Sequence, residues 1–230
     1  MLQGYTLAFD LDGTLVDTAP DLIAAANHVL VGQGLAAVAP HLIQSEISFG
    51  ARAMILKGLD VSSAPRSSAE VDELLRQFLT YYEANIAVHS RPFEDVVAVL
   101  ERYRAHGCRL VVCTNKREVH SEQLLRALNL RSYFGAVAGR DTFAVCKPHP
   151  DHLRGAIEMA GGDPTRAIMV GDSDTDISTA RAAGIPSIAV TFGYTDVPVS
   201  ELNPTQVISH YNLFDDALAR IWPHVPVTKK

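Results

Sequence analysis

Tyr5-Thr6-Leu7-Ala8-Phe9-Asp10-Leu11-Asp12-Gly13-Thr14 is the stretch that decides the fold. A short run of apolar and β-forming residues, Tyr5 to Phe9, ends directly at two carboxylates and a glycine, the pattern of a strand closed by a tight turn. The construction recurs along the chain. Arg109-Leu110-Val111-Val112-Cys113 runs into Thr114-Asn115-Lys116, and Ala167-Ile168-Met169-Val170 runs into Gly171-Asp172-Ser173-Asp174-Thr175-Asp176. Gly135 to Ala138 and Ile188 to Val190 are two further short apolar runs. Helical periodicity fills the intervals, from Glu94 to about His106, Glu118 to Leu128, Asp151 to Ala160 and Ile177 to Ala183, with Gly107 and Gly184 as stops. Apolar strands separated by helices imply an α/β fold, a parallel sheet covered by helices on both faces with right-handed crossovers.

One region departs from the alternation. Thr18-Ala19-Pro20-Asp21 places a hydroxyl at an N-cap position, a proline in the first turn and an acid behind it, and opens a helix that stops near Gly32. Ser67-Ser68-Ala69-Glu70 is a second capping box, leading into Val71, Leu74, Leu75, Phe78 and Tyr82. No strand pattern interrupts residues 17–87, so they are expected to form an all-helical domain inserted after the first strand. Residues 1–16 and 88–230 are expected to form the α/β core domain. Hinges are expected at Leu15 to Thr18 and Asn85 to Pro92, and Thr228-Lys229-Lys230 is expected to fray.

The bulk properties narrow the function classes. A chain of 230 residues with 47% hydrophobic content buries a substantial core. Its 20 Lys and Arg are outnumbered by 26 Asp and Glu, for a net charge of -6, and never cluster, which argues against a nucleic-acid surface. Neither a signal-peptide pattern nor a membrane-length apolar run is present, so the expected location is the cytoplasm, without membrane partners. Cys108, Cys113 and Cys146 show no C-x-x-C spacing and read as small buried residues. The nine histidines show no zinc-ligand spacing.

Ligands of an open parallel sheet bind beyond the carboxyl ends of its strands, which is where Asp10, Asp12, Thr114, Asn115, Asp172 and Asp176 fall. Lys147-Pro148-His149-Pro150, opening a helix, lies between the last two of these clusters. Each has a bland reading alone: Asp12-Gly13 as a turn, Asp172 and Asp176 as helix-start acids, Lys147 as a solvated charge. Turn chemistry does not account for all of them together.

In this combination and order the motifs resemble those of the haloacid dehalogenase superfamily, in the phosphatase branch that carries a helical cap after the first motif. The resemblance covers about residues 5 to 195 and implies a Rossmann-like core. It implies Asp10 as the nucleophile that forms an aspartyl phosphate. Asp12 is implied as acid, then base, and Lys147 as the charge that holds Asp10 and the phosphoryl group. The residues suit that chemistry. Phosphoryl transfer needs an attacking oxygen, positive surroundings for the phosphoryl oxygens and a proton for the leaving alkoxide. Thr114, Asn115 and the backbone from Leu11 to Gly13 offer donors to the phosphoryl oxygens, and Asp10, Asp172 and Asp176 form an oxygen cage suited to Mg²⁺. The resemblance adds the Asp12 backbone carbonyl as a metal ligand, with Asp172 binding directly and Asp176 through water. Asp12 also argues against a dehalogenase, since a halide leaves without a proton.

Within the superfamily, Thr114-Asn115-Lys116, Ser48-Phe49-Gly50-Ala51-Arg52 and the run from Gly171 to Tyr194 resemble the phosphoglycolate phosphatases. That implies a small phosphorylated metabolite, 2-phosphoglycolate, as substrate, with Arg52 as candidate partner of its carboxylate, and a monomer or homodimer. A sugar-phosphate phosphatase, a β-phosphoglucomutase-like phosphomutase and an inactive binding protein of the same fold are the alternatives.

Overall fold

The computed structural model describes residues 2–223, so the expected frayed tail at Thr228 to Lys230 lies outside the described residues. In chain order, β1 (Thr6–Phe9) and β2 (Val16–Asp17) precede four helices, α1 (Ala19–Gly32), α2 (Pro40–Ile43), α3 (Ala51–Val61) and α4 (Ser68–Ala84). After β3 (Arg91–Pro92) come α5 (Val96–Ala105), β4 (Arg109–Cys113), α6 (Glu118–Ala127), β5 (Ala136–Ala138) and α7 (Pro150–Met159). The chain ends with β6 (Ala167–Gly171), α8 (Asp174–Ala183), β7 (Ser187–Val190), β8 (Gln206–Ile208) and α9 (Phe214–Ile221).

Six strands form one parallel sheet in the order β5-β4-β1-β6-β7-β8. The chain winds outward from β1 through β4 and β5, then returns to the other side of β1 for the rest. Phe9 is in register with Val112 on one side and Val170 on the other, so the loops after β1, β4 and β6 leave the sheet side by side at the point where the winding reverses.

Alternation within the strands fills two layers. Leu7, Phe9, Leu110, Val112, Ile168 and Val170 share a cluster with Val99, Leu100 and Tyr103 of α5, Leu124 and Leu125 of α6 and Phe214 of α9. Ala8, Val111, Cys113 and Met169 pack instead with Leu153 and Ile157 of α7 and Ala180 of α8. Both faces of the strands are buried, as continuous apolar runs require. Cys108 and Cys113 are buried free thiols, and Cys146 is half-buried.

The helical insertion enters and leaves through β2 and β3, which pair antiparallel. The capping box of α4 forms as expected, with Glu70 N–H donating to Ser67 Oγ and Ser67 N–H to Glu70 Oε2 at 2.8 Å. The start of α1 differs from expectation. Thr18 makes no side-chain cap. The Tyr194 hydroxyl, from the loop after β7, accepts from Thr18 N at 2.7 Å and Ala19 N at 3.0 Å and donates to Asp17. Asp21 faces the segment just before β3 instead, accepting from His89 N, Ser90 N and Ser90 Oγ. A tertiary hydroxyl and a cross-link between the two connections thus replace a local cap, which sequence spacing does not reveal.

Candidate active site

The loop after β1 brings Asp10 to the carboxyl edge of the sheet, where its N–H donates to Val170 O at 2.9 Å and fixes it against β6. The turn after β6 supplies Asp172, and the first turn of α8 supplies Asp176. One carboxylate oxygen from each of Asp10, Asp172 and Asp176 lies within 4.8 Å of the others. Asp176 Oδ2 accepts from Asp172 N at 3.2 Å, Ser173 N at 3.1 Å and Ser173 Oγ at 2.7 Å, so capping α8 also aims its other oxygen into the cluster. Asp172 is held by Thr14 Oγ1 at 2.9 Å and by Tyr194 N–H at 2.9 Å.

Glycines make room for this packing. A Cβ on Gly193 would lie 2.2 Å from Asp172 Cβ. One on Gly13, which has φ +80, would lie 2.5 Å from Asp172 Oδ2, so Gly13 is required both for its left-handed backbone and for its missing side chain.

Lys147 enters from the loop before α7. Its Nζ donates to Asp176 Oδ1 at 2.5 Å and lies 3.0 Å from Asp10 Oδ1, an ion pair that leaves this buried oxygen without a hydrogen-bond partner. Burial works against the Lys147 charge, but Asp10 and Asp176 outweigh it and raise its pKa. Burial pushes the Asp10 carboxyl up to about 6 against the pull of Lys147, with Asp176 adding to the rise. Burial, then the charges of Asp176 and Asp10, push Asp172 well above the ordinary carboxylate range. Counting Asp12, four carboxylates face two ammonium groups, those of Lys147 and Lys116, leaving an excess equal to the charge of one divalent cation. The all-oxygen donor set, the Asp10 oxygen without a hydrogen-bond partner and the charge excess fit a hard divalent ion such as Mg²⁺.

On the other flank, both Asp12 carboxylate oxygens accept from Lys116 Nζ, at 3.0 and 3.2 Å. Burial opposes the Lys116 charge as well, and Asp12 more than restores it. The hydroxyl of Thr114 accepts from Lys116 N at 3.2 Å and helps hold Asp10 ionised. Asn115 donates its amide N–H to the Lys147 carbonyl at 3.0 Å, while its own Oδ1 is buried without a partner. The amide proposed for phosphoryl oxygens therefore also ties the loop after β4 to the loop carrying Lys147.

A cavity of about 460 Å³ lies over these groups. Asp10, Asp12, Thr114, Asn115, Lys116 and Lys147 form its floor, and Ile47 to Arg52, Met54, Phe78 and Tyr82 of the insertion form its roof. Arg52 lies on the roof, but its guanidinium is directed to Asp72 and to Ser68 Oγ, at 3.2 Å from the latter. Asp174 is exposed, and His149 caps α7, accepting from Asp151 N.

The structure brings Asp10, Asp12, Gly13, Thr114, Asn115, Lys147, Asp172 and Asp176 together on one edge, with Arg52 across the cavity. The sequence reading assigned no role to Lys116, Thr14, Tyr194 or Gly193. The first two sit inside the quoted motifs, where residue type alone assigned them nothing. Tyr194 and Gly193, at the end of the run from Gly171, lie against Asp172 across 22 and 21 positions, a contact that only the folded sheet creates.

A haloacid dehalogenase-like hydrolase family model matches residues 7–190. A phosphoglycolate phosphatase of Mesorhizobium japonicum is 47% identical over 93% of this chain and 94% of its own length, and one of Agrobacterium fabrum is 45% identical over 91% and 90%. A predicted phosphoglycolate phosphatase of known structure from Haemophilus somnus superposes with a TM-score of 0.87 at 28% identity, covering 95% of this chain and 99% of that one. No helix among the described residues is long and apolar enough to cross a membrane. With its parallel sheet, its helical insertion and its carboxylate edge, the chain belongs to the haloacid dehalogenase-like hydrolase family.

Proposed function

We propose that the protein is a magnesium-dependent phosphatase that hydrolyses 2-phosphoglycolate to glycolate and phosphate through a phosphorylated Asp10. The observation that carries this reading is the convergence of Asp10, Asp12, Thr114, Lys147, Asp172 and Asp176 beneath one cavity, whose volume suits a small metabolite. The names of the relatives at 47% and 45% identity support the substrate.

In the first half-reaction an Asp10 oxygen bonds to phosphorus as the bond from phosphorus to the alkoxide oxygen breaks. The proton on Asp12 passes to that oxygen, so glycolate leaves. In the second, Asp12 takes a proton from water, the water oxygen bonds to phosphorus, and the Asp10 carboxylate is released with inorganic phosphate. Lys147 holds Asp10 in place and offers its charge to the phosphoryl oxygens, together with Thr114, Asn115 and the backbone around Gly13. Mg²⁺, held by Asp10, Asp172, Asp176 and the Asp12 carbonyl that family resemblance adds, would offset the repulsion between nucleophile and ester.

Residues 17–87 serve in this reading as a cap domain on a core of residues 1–16 and 88–230. The cap hinges at β2 and β3 and closes to exclude water. Arg52 would turn from Asp72 to the substrate carboxylate when the cap closes. A panel of 2-phosphoglycolate and hexose phosphates, with and without Mg²⁺, tests the reading. The expected result is a kcat/KM at least about tenfold higher for 2-phosphoglycolate, lost on chelation. A preference for hexose phosphates, or isomerised sugar phosphate as product, would replace it with the sugar-phosphate or phosphomutase reading. No turnover of any ester would favour a binding protein.

A further inference from the structure

Asp12 is held differently from the other carboxylates of the site. Asp172 accepts from the hydroxyl of Thr14 and the backbone N–H of Tyr194, and Asp176 from two backbone N–H groups and a hydroxyl of its own turn besides Lys147, whereas the hydrogen bonds to the Asp12 carboxylate come from Lys116 Nζ, one to each oxygen, at 3.0 and 3.2 Å. Lys116 is itself immobilised. Its side chain is only 7% exposed, its N–H donates to Thr114 Oγ1, its carbonyl accepts from Arg140 N at 2.9 Å, and its ammonium sits 4.6 Å from the centre of the Tyr82 ring. Tyr82 is a buried residue of α4 in the helical insertion, so a contact runs from the insertion through Lys116 to Asp12. A solvated pair of this kind would contribute little, but here both partners are largely withdrawn from water and both oxygens are engaged, which fixes the direction in which the carboxylate points.

We infer that Lys116 is a positioning residue for the acid–base step: backed by the Tyr82 ring, it holds the Asp12 carboxylate at the angle from which it reaches the leaving oxygen. The inference rests on the proposed role of Asp12. In the step concerned, the proton leaves Asp12 for the alkoxide oxygen as the Asp10-to-phosphorus bond forms, and Lys116 keeps its own protons throughout. A misaimed Asp12 slows only esters whose leaving group needs that proton.

First-turnover rates with 2-phosphoglycolate, an alkoxide leaver, and p-nitrophenyl phosphate, whose phenolate leaves unprotonated, separate the possibilities. Lys116→Met is expected to slow the first turnover of 2-phosphoglycolate on the order of 100-fold, with KM within about threefold, and that of p-nitrophenyl phosphate less than about fivefold. Lys116→Arg, which restores the charge and the donors, is expected to recover at least about tenfold of the loss. Lys116→Gln reads the same split should the Met variant fail to fold. Equal losses on both esters, or a KM rise on 2-phosphoglycolate with an unchanged rate, would overturn the inference, the latter by making Lys116 a substrate contact. Asp12→Asn serves as the reference. If it leaves the first turnover of 2-phosphoglycolate intact, the acid role of Asp12 itself fails. If it abolishes that turnover while Lys116→Met does not affect it, only Lys116 is removed.

Discussion

The floor and the roof of the cavity are built on opposite principles. Directly beneath the floor residues, Asp172 and Asp176 each accept from at least one backbone N–H and from side chains of strand-end loops whose spacing is set by the sheet. On the roof, Arg52 reaches Asp72 and Ser68 across a solvated helix surface, and Phe49 is 72% exposed. Surface ion pairs contribute about 0–1 kcal/mol, so the roof can rearrange at little cost, while moving Asp172 or Asp176 breaks several buried hydrogen bonds at about 1 kcal/mol or more each. Chemistry that requires fixed oxygens belongs to the first region, and selection among substrates suits the second.

The strongest way to break this division is Asp10→Asn. It is expected to lower kcat on the order of 10⁴-fold or more while KM stays within a few-fold, measured by phosphate release. Because it also removes one of the crowded charges, it should raise the melting temperature of metal-free protein, and an unchanged or lower melting point would dispute the charge excess on the floor.

A second test probes the underside of the floor. His152 packs beneath β4 and donates from Nε2 to the Gly139 carbonyl at 3.0 Å, and burial, followed by the Lys147 charge, lowers its pKa from 6.5 to about 4. Between those values the unfolded chain binds the proton and the folded one does not. Its contribution is therefore complete above pH 6.5 and lost as pH falls toward 4, amounting to about 3 kcal/mol. The raised Asp10 and Asp172 act with the opposite sign, so the measurement is the difference between wild type and His152→Gln in urea midpoint from pH 7.5 to pH 4.5, with the wild type expected to lose more.

Gly193→Ala drives a Cβ into Asp172 and is expected to raise the Mg²⁺ concentration for half-maximal activity by about 10- to 100-fold, titrated at saturating substrate. Arg52→Ala, on the roof, should leave the Mg²⁺ requirement and kcat intact and raise KM about tenfold for 2-phosphoglycolate alone. A kcat effect at Arg52 comparable to that at Gly193 would erase the distinction between the regions.

The same contrast governs what the sequence could reveal. Strands β1, β4, β6 and β7 and the helices between them follow from apolar runs punctuated by glycine, and the floor residues follow because each strand end carries its polar cluster within a few positions. Strand β8 has three residues with Val207 facing solvent, too short for a pattern to register, and Phe214–Ile221 is a two-turn helix defined by packing on Phe9 and Tyr103. Tyr194 at the start of α1 and Lys116 against Asp12 are pairings over 104 positions or more, for which periodicity carries no signal. The Arg52 contact with Asp72 depends on how α3 crosses α4, a property of tertiary packing.

A phosphate ester made chiral at phosphorus with oxygen isotopes tests most directly whether a carboxylate of the floor captures the phosphoryl group. Transfer to Asp10 and then to water inverts the centre twice, so the released phosphate should show retained configuration. Net inversion would mean that water attacks the ester itself, and the account built on Asp10 would be wrong.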